Sequence, residues 1–320
     1  MSIIYSNLND LKTPLKNPVL TIGNFDGVHR GHLALFDKVK EIAHNIDGQS
    51  VVMTFDPHPI KVMKPGFHPP LITPTEQKLK LIQAAGIDII LCVPFTKEFA
   101  SIPPEDFVTD ILLGKIGIRE IVVGYDYSFG YKRQGTIDLL KTMGERYDFK
   151  VHVIRQISVD GRIVSSTAIR KLVQEGDLDG AKKLLNRDYQ VCGVVVKGKN
   201  RGARLLGYPT ANLKLVDELV PKFGVYAVRV VIDEKEYNGL TNIGYNPTFG
   251  NNAFSVETYV LDFSGDLLGK TITVKFIKRL RDEKTFNSIE ELAEQIGKDI
   301  VVAREIFKQE EEKKTNLCKS

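Results

Sequence analysis

The sequence predicts an α/β chain in two parts: a Rossmann-like domain built on a parallel sheet, then a small antiparallel β-barrel with a C-terminal helix. Three observations predict it. Through the first half, short apolar runs alternate with amphipathic ones, the pattern of strands joined by crossover helices. Near Arg187-Asp188 the character changes, and runs rich in Val, Ile, Tyr and Thr follow, separated by glycine-marked turns. A last amphipathic segment carries Ile289, Leu292, Ile296 and Ile300 as its apolar stripe. The domains are accordingly expected at 1–187 and 188–320.

Taken in order, the expected strands of the first part are 18–23, 50–55, 87–93, 120–124 and 151–155, and the helices are 32–45, 75–85, 104–113 and 137–146. Thr75-Glu76 and Pro104-Glu105 are sound helix starts. Gly176-Asp177-Leu178-Asp179 breaks the pattern, and a short helix over 180–185 completes this half. The second part offers strands at 190–197, 224–232, 256–263 and 270–277; in the last, Ile272, Val274 and Phe276 alternate with polar residues. Pro209-Thr210-Ala211-Asn212, Asn242-Ile243-Gly244 and Asn246-Pro247-Thr248 read as turns. The final helix is expected at 288–307, and the Lys/Glu-rich stretch after Gln309 as a solvated, frayed end.

Composition narrows the function classes. The 320 residues carry a net charge of +4 with no basic stripe interleaved with aromatics, which argues against nucleic acid as a partner. No apolar run approaches membrane-spanning length, and the N-terminal stretch lacks the pattern of a signal peptide. Cys92, Cys192 and Cys318 are far apart and form no CxxC pair, so no disulfide framework is expected, and the cytoplasm is the expected compartment.

The chemistry concentrates in loops that follow expected strands, where ligands of such sheets bind. Gly23-Asn24-Phe25-Asp26-Gly27-Val28-His29-Arg30-Gly31-His32 joins the first strand to the first helix. Its two histidines, three apart, share a face at a helix N-terminus, where free N–H groups and the helix dipole suit a phosphate. The plainer readings are a zinc pair, for which no third ligand is at hand, and ordinary helix-start residues. Thr54-Phe55-Asp56-Pro57-His58-Pro59 is a rigid turn that presents Asp56 and His58 to the same cleft, or a rigid loop with two incidental polar groups. The stretch 124–135 is glycine-rich, aromatic and basic; Phe129 or Tyr127 could stack on a flat ring while Arg133 meets a phosphate, and the role of Asp126 stays open. Ser165, Ser166 and Thr167 open an amphipathic helix as caps or phosphate donors, with Arg170 one turn on.

In the second part, the loop from Gly198 to Arg204 is basic and suited to phosphates, and Thr210 and Asn212 carry hard oxygens suited to Mg²⁺. Glu257 lies at the start of an expected strand, with Asp262 five residues on and so on the opposite face if the strand is regular.

The first loop resembles the HxGH signature of nucleotidylyltransferases, and TFDPHP resembles the TFEPHP of FAD synthetases, with Asp56 in place of Glu. The 124–135 loop is similar to GxxFxFGxxRxG, and SSTAIR to SSTxIR. LGYPTAN, GVYAVRV, NIGYNPTFG and ETYVLDF follow in the order found in riboflavin kinases, so nearly the whole chain resembles the bifunctional bacterial riboflavin kinase/FAD synthetases. That resemblance implies riboflavin, FMN, FAD and ATP as ligands, Mg²⁺ as cofactor, and two reactions, each consuming ATP. It implies His29, His32 and Arg170 as catalytic in adenylyl transfer; Gly23, Asn24, Phe25, Asp26, Ser165, Ser166 and Thr167 as binding ATP; and Asp56, His58, Asp126, Phe129 and Arg133 as binding flavin. In the kinase it implies Gly198, Arg201, Arg204 and Pro209 at ATP, Thr210 and Asn212 at the metal, and Glu257 as base. Gly202-Ala203-Arg204 departs from the family's Arg-Gly-Arg, which leaves an alternative: an FAD synthetase whose impaired kinase barrel binds flavin as a regulatory module. A different HxGH enzyme, a cytidylyltransferase or an aminoacyl-tRNA synthetase fragment, would leave the barrel unexplained.

Overall fold

The computed structural model describes residues 2–66, 69–198, 207–245, 254–286 and 288–317. It forms two compact units, Met1–Ser166 and Thr167–Ser320.

The first unit is a parallel six-stranded sheet. Its strands are β1 (Ile3–Tyr5), β2 (Val19–Ile22), β3 (Ser50–Asp56), β4 (Ile89–Pro94), β5 (Glu120–Gly124) and β6 (Lys150–Ile154), in the order β1-β4-β3-β2-β5-β6. β2 to β5 are buried almost end to end, as expected where helices cover both faces. Alternation divides the core. Leu20, Ile22, Val51, Met53, Leu91, Ile121 and Val123 face one layer, together with Phe107, Val108, Ile111, Leu112 and Leu140. Val52 and Ile90 face the other with Phe36, while Val19 and Val122 meet Val39 and Ile42. Phe36, Val39 and Ile42 belong to helix α1 (Arg30–Asn45), whose apolar stripe therefore lies along that second face.

The chain moves outward from β2 through β3 and β4, then returns to place β5 on β2's other side. The topological switch point thus lies at the C-terminal end of β2, where the loop to α1 begins. The helices that follow are α2 (Pro59–Met63), α3 (Thr75–Ala84), α4 (Lys97–Ala100), α5 (Pro104–Asp106) and α6 (Ile137–Tyr147). Three details differ from expectation. The short strand β1 carries no readable alternation and is held by pairing with β4. The expected helix over 104–113 is one α-helical turn followed by a π-helix, Phe107–Ile116, which ends on Gly117 in the left-handed region. A small hairpin, β7 (Ser158–Val159) and β8 (Arg162–Ile163), precedes the serine run.

The second unit contains helices α7 (Ser166–Glu175, from Thr167 onward) and α8 (Leu178–Leu185), then a closed six-stranded barrel. Its strands are β9 (Tyr189–Val196), β10 (Thr210–Lys214), β11 (Gly224–Ile232), β12 (Lys235–Tyr245), β13 (Phe254–Val260) and β14 (Thr271–Arg281). The barrel interior is apolar, with Tyr189, Tyr226, Val228, Val230, Val274 and Phe276 at 2 % exposure or less. Closure pairs every one of these strands on both sides, which removes the exposed edges an open sheet would present.

Four expectations are corrected here. Thr210-Ala211-Asn212 is strand, not turn, because β9 and β13 pair with it on both sides and this pairing overrides local turn preference. Asn242-Ile243-Gly244 is likewise strand, within β12 and paired to both β11 and β13. Glu257 lies in mid-strand, and Asp262 lies beyond β13 at φ +55°, where it pairs with Arg304 at 2.7 Å. The stretch after Gln309 is helical: α9 (Ile289–Leu317) runs through it, with Glu310 and Glu311 approaching Arg229 at 3.6 and 3.8 Å. Asn246-Pro247-Thr248 and Cys318 lie outside the described residues.

Helix α9 docks on the outside of the barrel. Ala303, Phe307 and Ile300 pack against Val225, Ala227, Leu240 and Tyr259. The buried Asp299 carboxylate accepts from Arg281 Nε and Nη2, the latter at 2.8 Å, and from Gln295 at 2.9 Å, so its charge is satisfied.

One carboxyl is buried differently. Glu218 accepts only from the Cys192 backbone N–H among the described residues, at 3.0 and 3.2 Å, and burial pushes its pKa up to about 8 against that hydrogen bond. The unfolded chain ionises this group near 4.5, so stability from this source is fully present below that pH and is lost as pH rises through about 8. Glu218→Gln should therefore flatten the pH dependence of barrel unfolding between about pH 5 and 9, with a limit of about 5 kcal/mol. Denaturant melts followed by circular dichroism at several pH values check this; an unchanged slope would contradict it.

Candidate active sites

In the first unit, β2 delivers its chain at Gly23 to the switch point. The following loop is conformationally demanding: Phe25 (φ +49°) and Val28 (φ +38°) are non-glycine residues in the left-handed region, a strain of about 1–3 kcal/mol each. Surrounding bonds hold it. The Asp26 carboxylate, 4 % exposed, accepts from the Ile72 and Thr73 N–H groups at 3.2 and 3.0 Å. Gly27, at φ +89°, donates to Thr73 Oγ1 at 3.0 Å. Ser166 Oγ donates to the Asp26 carbonyl at 2.9 Å, which ties the serine run to this loop. Thr54 Oγ1 donates to the Asn24 carbonyl at 3.2 Å.

The loop ends on His29, the N-cap of α1. Its Nδ1 accepts from the His32 N–H, and the His32 Nδ1 accepts from the His29 N–H, both at 3.4 Å. A capping box normally built from Ser and Glu is here built from two histidines. The rings stack with centroids 3.5 Å apart and planes 18° apart, and Phe25 meets His32 edge-on at 5.2 Å. An accepting Nδ1 carries no proton, so each ring carries one on Nε2, the nitrogen away from the helix backbone. The spacing of three thus sets two donors side by side at the positive end of a 16-residue helix. Gly31 is constrained by the same stack, since a Cβ there would lie 3.2 Å from the His29 ring.

Around the ends of neighbouring strands, the other expected residues take these places. Asp56, exposed at the end of β3, accepts from Thr75 Oγ1 at 2.6 Å. His58 caps α2 through Nδ1, accepting from the Ile60 N–H at 3.2 Å. Phe129 is buried within a continuous row of ring contacts, Phe55, Phe95, Phe99, Phe107, Phe129 and Tyr127, the last pair stacked at 5.6 Å. Arg133 is exposed, with Nε donating to Ser128 Oγ at 2.6 Å, and Asp126 is exposed near Gly124. Ser165 and Ser166 are half-buried. Arg170 and Thr167 belong to the second compact unit. One polar residue of this site escaped the sequence reading: Lys78 of α3, 4 % exposed, donates to the carbonyls of Asn24 and Phe55. Its position on α3 resembles any surface helix lysine, so spacing gave no signal.

In the second unit, strand register assembles the site. Glu257 lies directly opposite Asn212 on β10 and Asn242 on β12. Residues opposite one another share a face, so Asn212, Glu257, Asn242 and, two residues along, Thr210 lie together on the outside of the barrel. Thr210 Oγ1 donates to Glu257 Oε2 at 3.4 Å. The alternate residues point inward: Thr241 and Thr258 are fully buried and hydrogen-bonded at 2.8 Å. The same outer face carries Tyr259, which leads into the patch covered by α9. Glu283 also reaches this face, since its carboxylate occupies the space that a Cβ on Gly244 would take. Nothing in the spacing of Glu283 announces this, because a chain turn after β14 brings it there. Gly198 and Pro209 flank the loop between β9 and β10, while Arg201 and Arg204 lie outside the described residues.

Among the described residues, no group of three or more His, Cys, Asp or Glu could hold a metal. The donors available in the barrel are instead a hydroxyl, a side-chain amide oxygen and one carboxylate, a set that fits Mg²⁺ with retained waters and does not fit zinc.

A parallel sheet with a histidine-capped helix at its switch point, and a closed barrel with a Thr/Asn/Glu face, define an α/β-plus-barrel chain with two separate polar sites. Comparison with known proteins specifies them. The FAD synthetase family model matches residues 11–168, and the riboflavin kinase family model matches residues 185–307. The bifunctional riboflavin kinase/FMN adenylyltransferase of Buchnera aphidicola is 37% identical over 307 residues, covering 95% of this chain and 98% of that one. The protein of the same description from Escherichia coli K12 is 36% identical over 308 residues, covering 96% and 98%. A crystal structure described as a macrolide-efflux protein from Streptococcus pneumoniae superposes with a TM-score of 0.83 at 32% identity, covering 95% of this chain and 98% of that one. No helix among the described residues is long and apolar enough to cross a membrane. The chain belongs to the family of bifunctional riboflavin kinase/FMN adenylyltransferases.

Proposed function

We infer that this chain phosphorylates riboflavin to FMN with ATP and adenylylates FMN to FAD with a second ATP, releasing ADP and pyrophosphate respectively. The observation that carries the reading is the presence of two distinct sites in one chain, the paired histidines capping α1 and the Glu257 face of the barrel. The division of labour is proposed at 1–187 for adenylyl transfer and 188–320 for the kinase. The two matched regions, 11–168 and 185–307, support an adenylyltransferase part followed by a kinase part, and the proposed boundary falls three residues inside the second match.

In adenylyl transfer, an oxygen of the FMN phosphate attacks the α-phosphorus of ATP, and the bond to the β-phosphate oxygen breaks. No covalent enzyme intermediate is needed, so the protein orients the reactants and stabilises developing charge. His29 and His32 would donate from Nε2 to the phosphates, with Arg170 as fixed positive charge and Ser165, Ser166 and Thr167 as hydroxyl donors. Gly23, Asn24 and Phe25 would line the ATP, with Asp26 acting through the backbone of 72–73, which it holds. Asp56, His58, Asp126 and Arg133 would meet the flavin, and Phe129 would support Tyr127 beneath it.

In the kinase, Glu257 would take the proton of the terminal ribityl hydroxyl as that oxygen attacks the γ-phosphorus of ATP. Thr210 and Asn212 would hold Mg²⁺, which when bound neutralises charge on the phosphates. Gly198, Arg201, Arg204 and Pro209 would border the ATP. No nucleic-acid or membrane partner enters this reading, and the cytoplasm is the proposed compartment.

The test is incubation of the purified chain with riboflavin, ATP and Mg²⁺, with flavins separated chromatographically over time. FMN should appear and then convert to FAD. Untouched riboflavin alongside conversion of added FMN would instead make the barrel an impaired, flavin-binding module, as the Gly202-Ala203 departure allows.

A further inference from the structure

Lys78 is out of keeping with its surroundings. A lysine 4 % exposed has given up its water, yet among the described residues no carboxylate lies within ion-pair distance of it. Its Nζ donates to two main-chain carbonyls, Asn24 at 3.2 Å and Phe55 at 3.0 Å. Asp26 and Asp56 act on it at longer range, and each carboxylate is already engaged, the first with the backbone of 72–73 and the second with Thr75. A neutral amide could bond two carbonyls without the cost of burying a charge. What distinguishes the ammonium is its charge and where it lies.

The two carbonyls belong to different segments, Asn24 to the β2–α1 loop and Phe55 to the last residues of strand β3. Asn24 precedes the left-handed Phe25 on the way to His29, and Phe55 precedes the Asp56-Pro57-His58 turn. The segment leading into α3 is also anchored to the first loop, through Asp26 and Gly27 bonding to residues 72–73. We propose that Lys78 is a positioning residue for adenylyl transfer: one ammonium pins the β2–α1 loop to the C-terminal end of β3 at two carbonyls, holding the histidine pair in register with the Asp56–His58 turn that follows that strand. The inference rests on the reading of this site as the adenylyltransferase centre. A clamp of this kind acts on the alignment of reactants, where a displacement of about 1 Å costs on the order of 10²-fold in rate.

Burial pulls the Lys78 pKa below its usual 10.5, with Cys92, Asp26 and Asp56 acting in the other direction. Loss of the charge weakens both bonds, so the clamp should loosen as pH rises toward that value. Burial pushes the Cys92 thiol up from its usual value, so its titration must be separated from that of Lys78.

The experiment uses the full chain, with FMN-to-FAD and riboflavin-to-FMN turnover measured on each preparation. In Lys78→Met, kcat for FAD formation should fall about 100-fold with the KM for ATP within about threefold, while riboflavin phosphorylation is unchanged. The wild-type kcat should decline on an alkaline limb below pH 10.5 that persists in Cys92→Ser and disappears in Lys78→Met. A Lys78→Met enzyme within threefold of wild type, or one that keeps the limb, overturns the proposal. If Lys78→Met does not fold, the wild-type and Cys92→Ser profiles decide, and a flat profile in either overturns it. His32→Ala separates the underlying reading: if that variant still makes FAD at the wild-type rate, it is the site assignment that fails, whatever Lys78→Met shows.

Discussion

His32→Ala is expected to lower FAD formation from FMN by about 10²–10³-fold and to leave riboflavin phosphorylation at the wild-type level. The expectation follows from how the ring is held. His32 is fixed on one side by the His29 stack at 3.5 Å and on the other by the edge of Phe25, and its Nδ1 is committed to the helix backbone. Nε2 is therefore the ring nitrogen that carries the proton, and the ring's orientation is fixed before any ligand arrives. A donor that needs no reorganisation at the moment of reaction contributes most to the transition state, so kcat should carry the loss and KM for ATP should move little. His29→Ala should cost as much activity, together with about 1 kcal/mol of stability from loss of the N-cap. His32→Asn provides a useful contrast, because its amide can donate but cannot stack in the same way. Stopped assays with chromatographic separation of FMN and FAD, alongside thermal melts, check these values; FAD formation undiminished in both alanine variants would remove the histidines from the mechanism.

Glu257→Gln is expected to give the opposite phenotype: riboflavin phosphorylation reduced about 10²–10⁴-fold, with adenylylation of supplied FMN intact. Glutamine keeps the shape, and its carbonyl oxygen can still accept from Thr210 as Oε2 does at 3.4 Å. The barrel should therefore fold unchanged while the acceptor of the ribityl proton is lost. The change should appear in kcat, since the proposed Mg²⁺ ligands Thr210 and Asn212 are left in place. Thr210→Val and Asn212→Leu should instead raise the Mg²⁺ concentration needed for half-maximal kinase rate, without altering FAD formation. Kinase and adenylyltransferase rates measured on one preparation of each variant supply their own folding control. A Glu257→Gln enzyme that phosphorylates riboflavin normally would require another base, and Glu283, which comes to the same face over Gly244, would be the first to test.

The legibility of these features in the sequence follows the range of the interactions that make them. Strands β2 to β5 and helices α1, α3 and α6 are written in local sequence, because a strand buried on both faces needs a continuous apolar run and an amphipathic helix imposes a repeat of about three to four residues. The histidine pair is legible for the same reason, three residues apart on one helical turn. Strand β10 is not, since Pro209-Thr210-Ala211-Asn212 has turn chemistry and becomes strand only when β9 and β13 close around it. Gly244 within β12 is another case, where a turn residue is placed so that Glu283 can approach. Lys78 and Glu218 are illegible because nothing local separates a buried charge from an exposed one. The end of α9 misled for the converse reason: Glu310 and Glu311 look like a solvated run until Arg229, far back in the chain, comes beside them.

The separate cores of the two units, a layered sheet in one and a closed barrel in the other, carry a consequence for supply and demand. Each translated chain adds one site of each kind, so their numbers are locked at one to one and cannot be adjusted by expression. The balance between FMN and FAD must then be set by the relative turnover and saturation of the two sites. A substitution that slows only one of them shifts the ratio of the two flavins, even where their sum is unchanged.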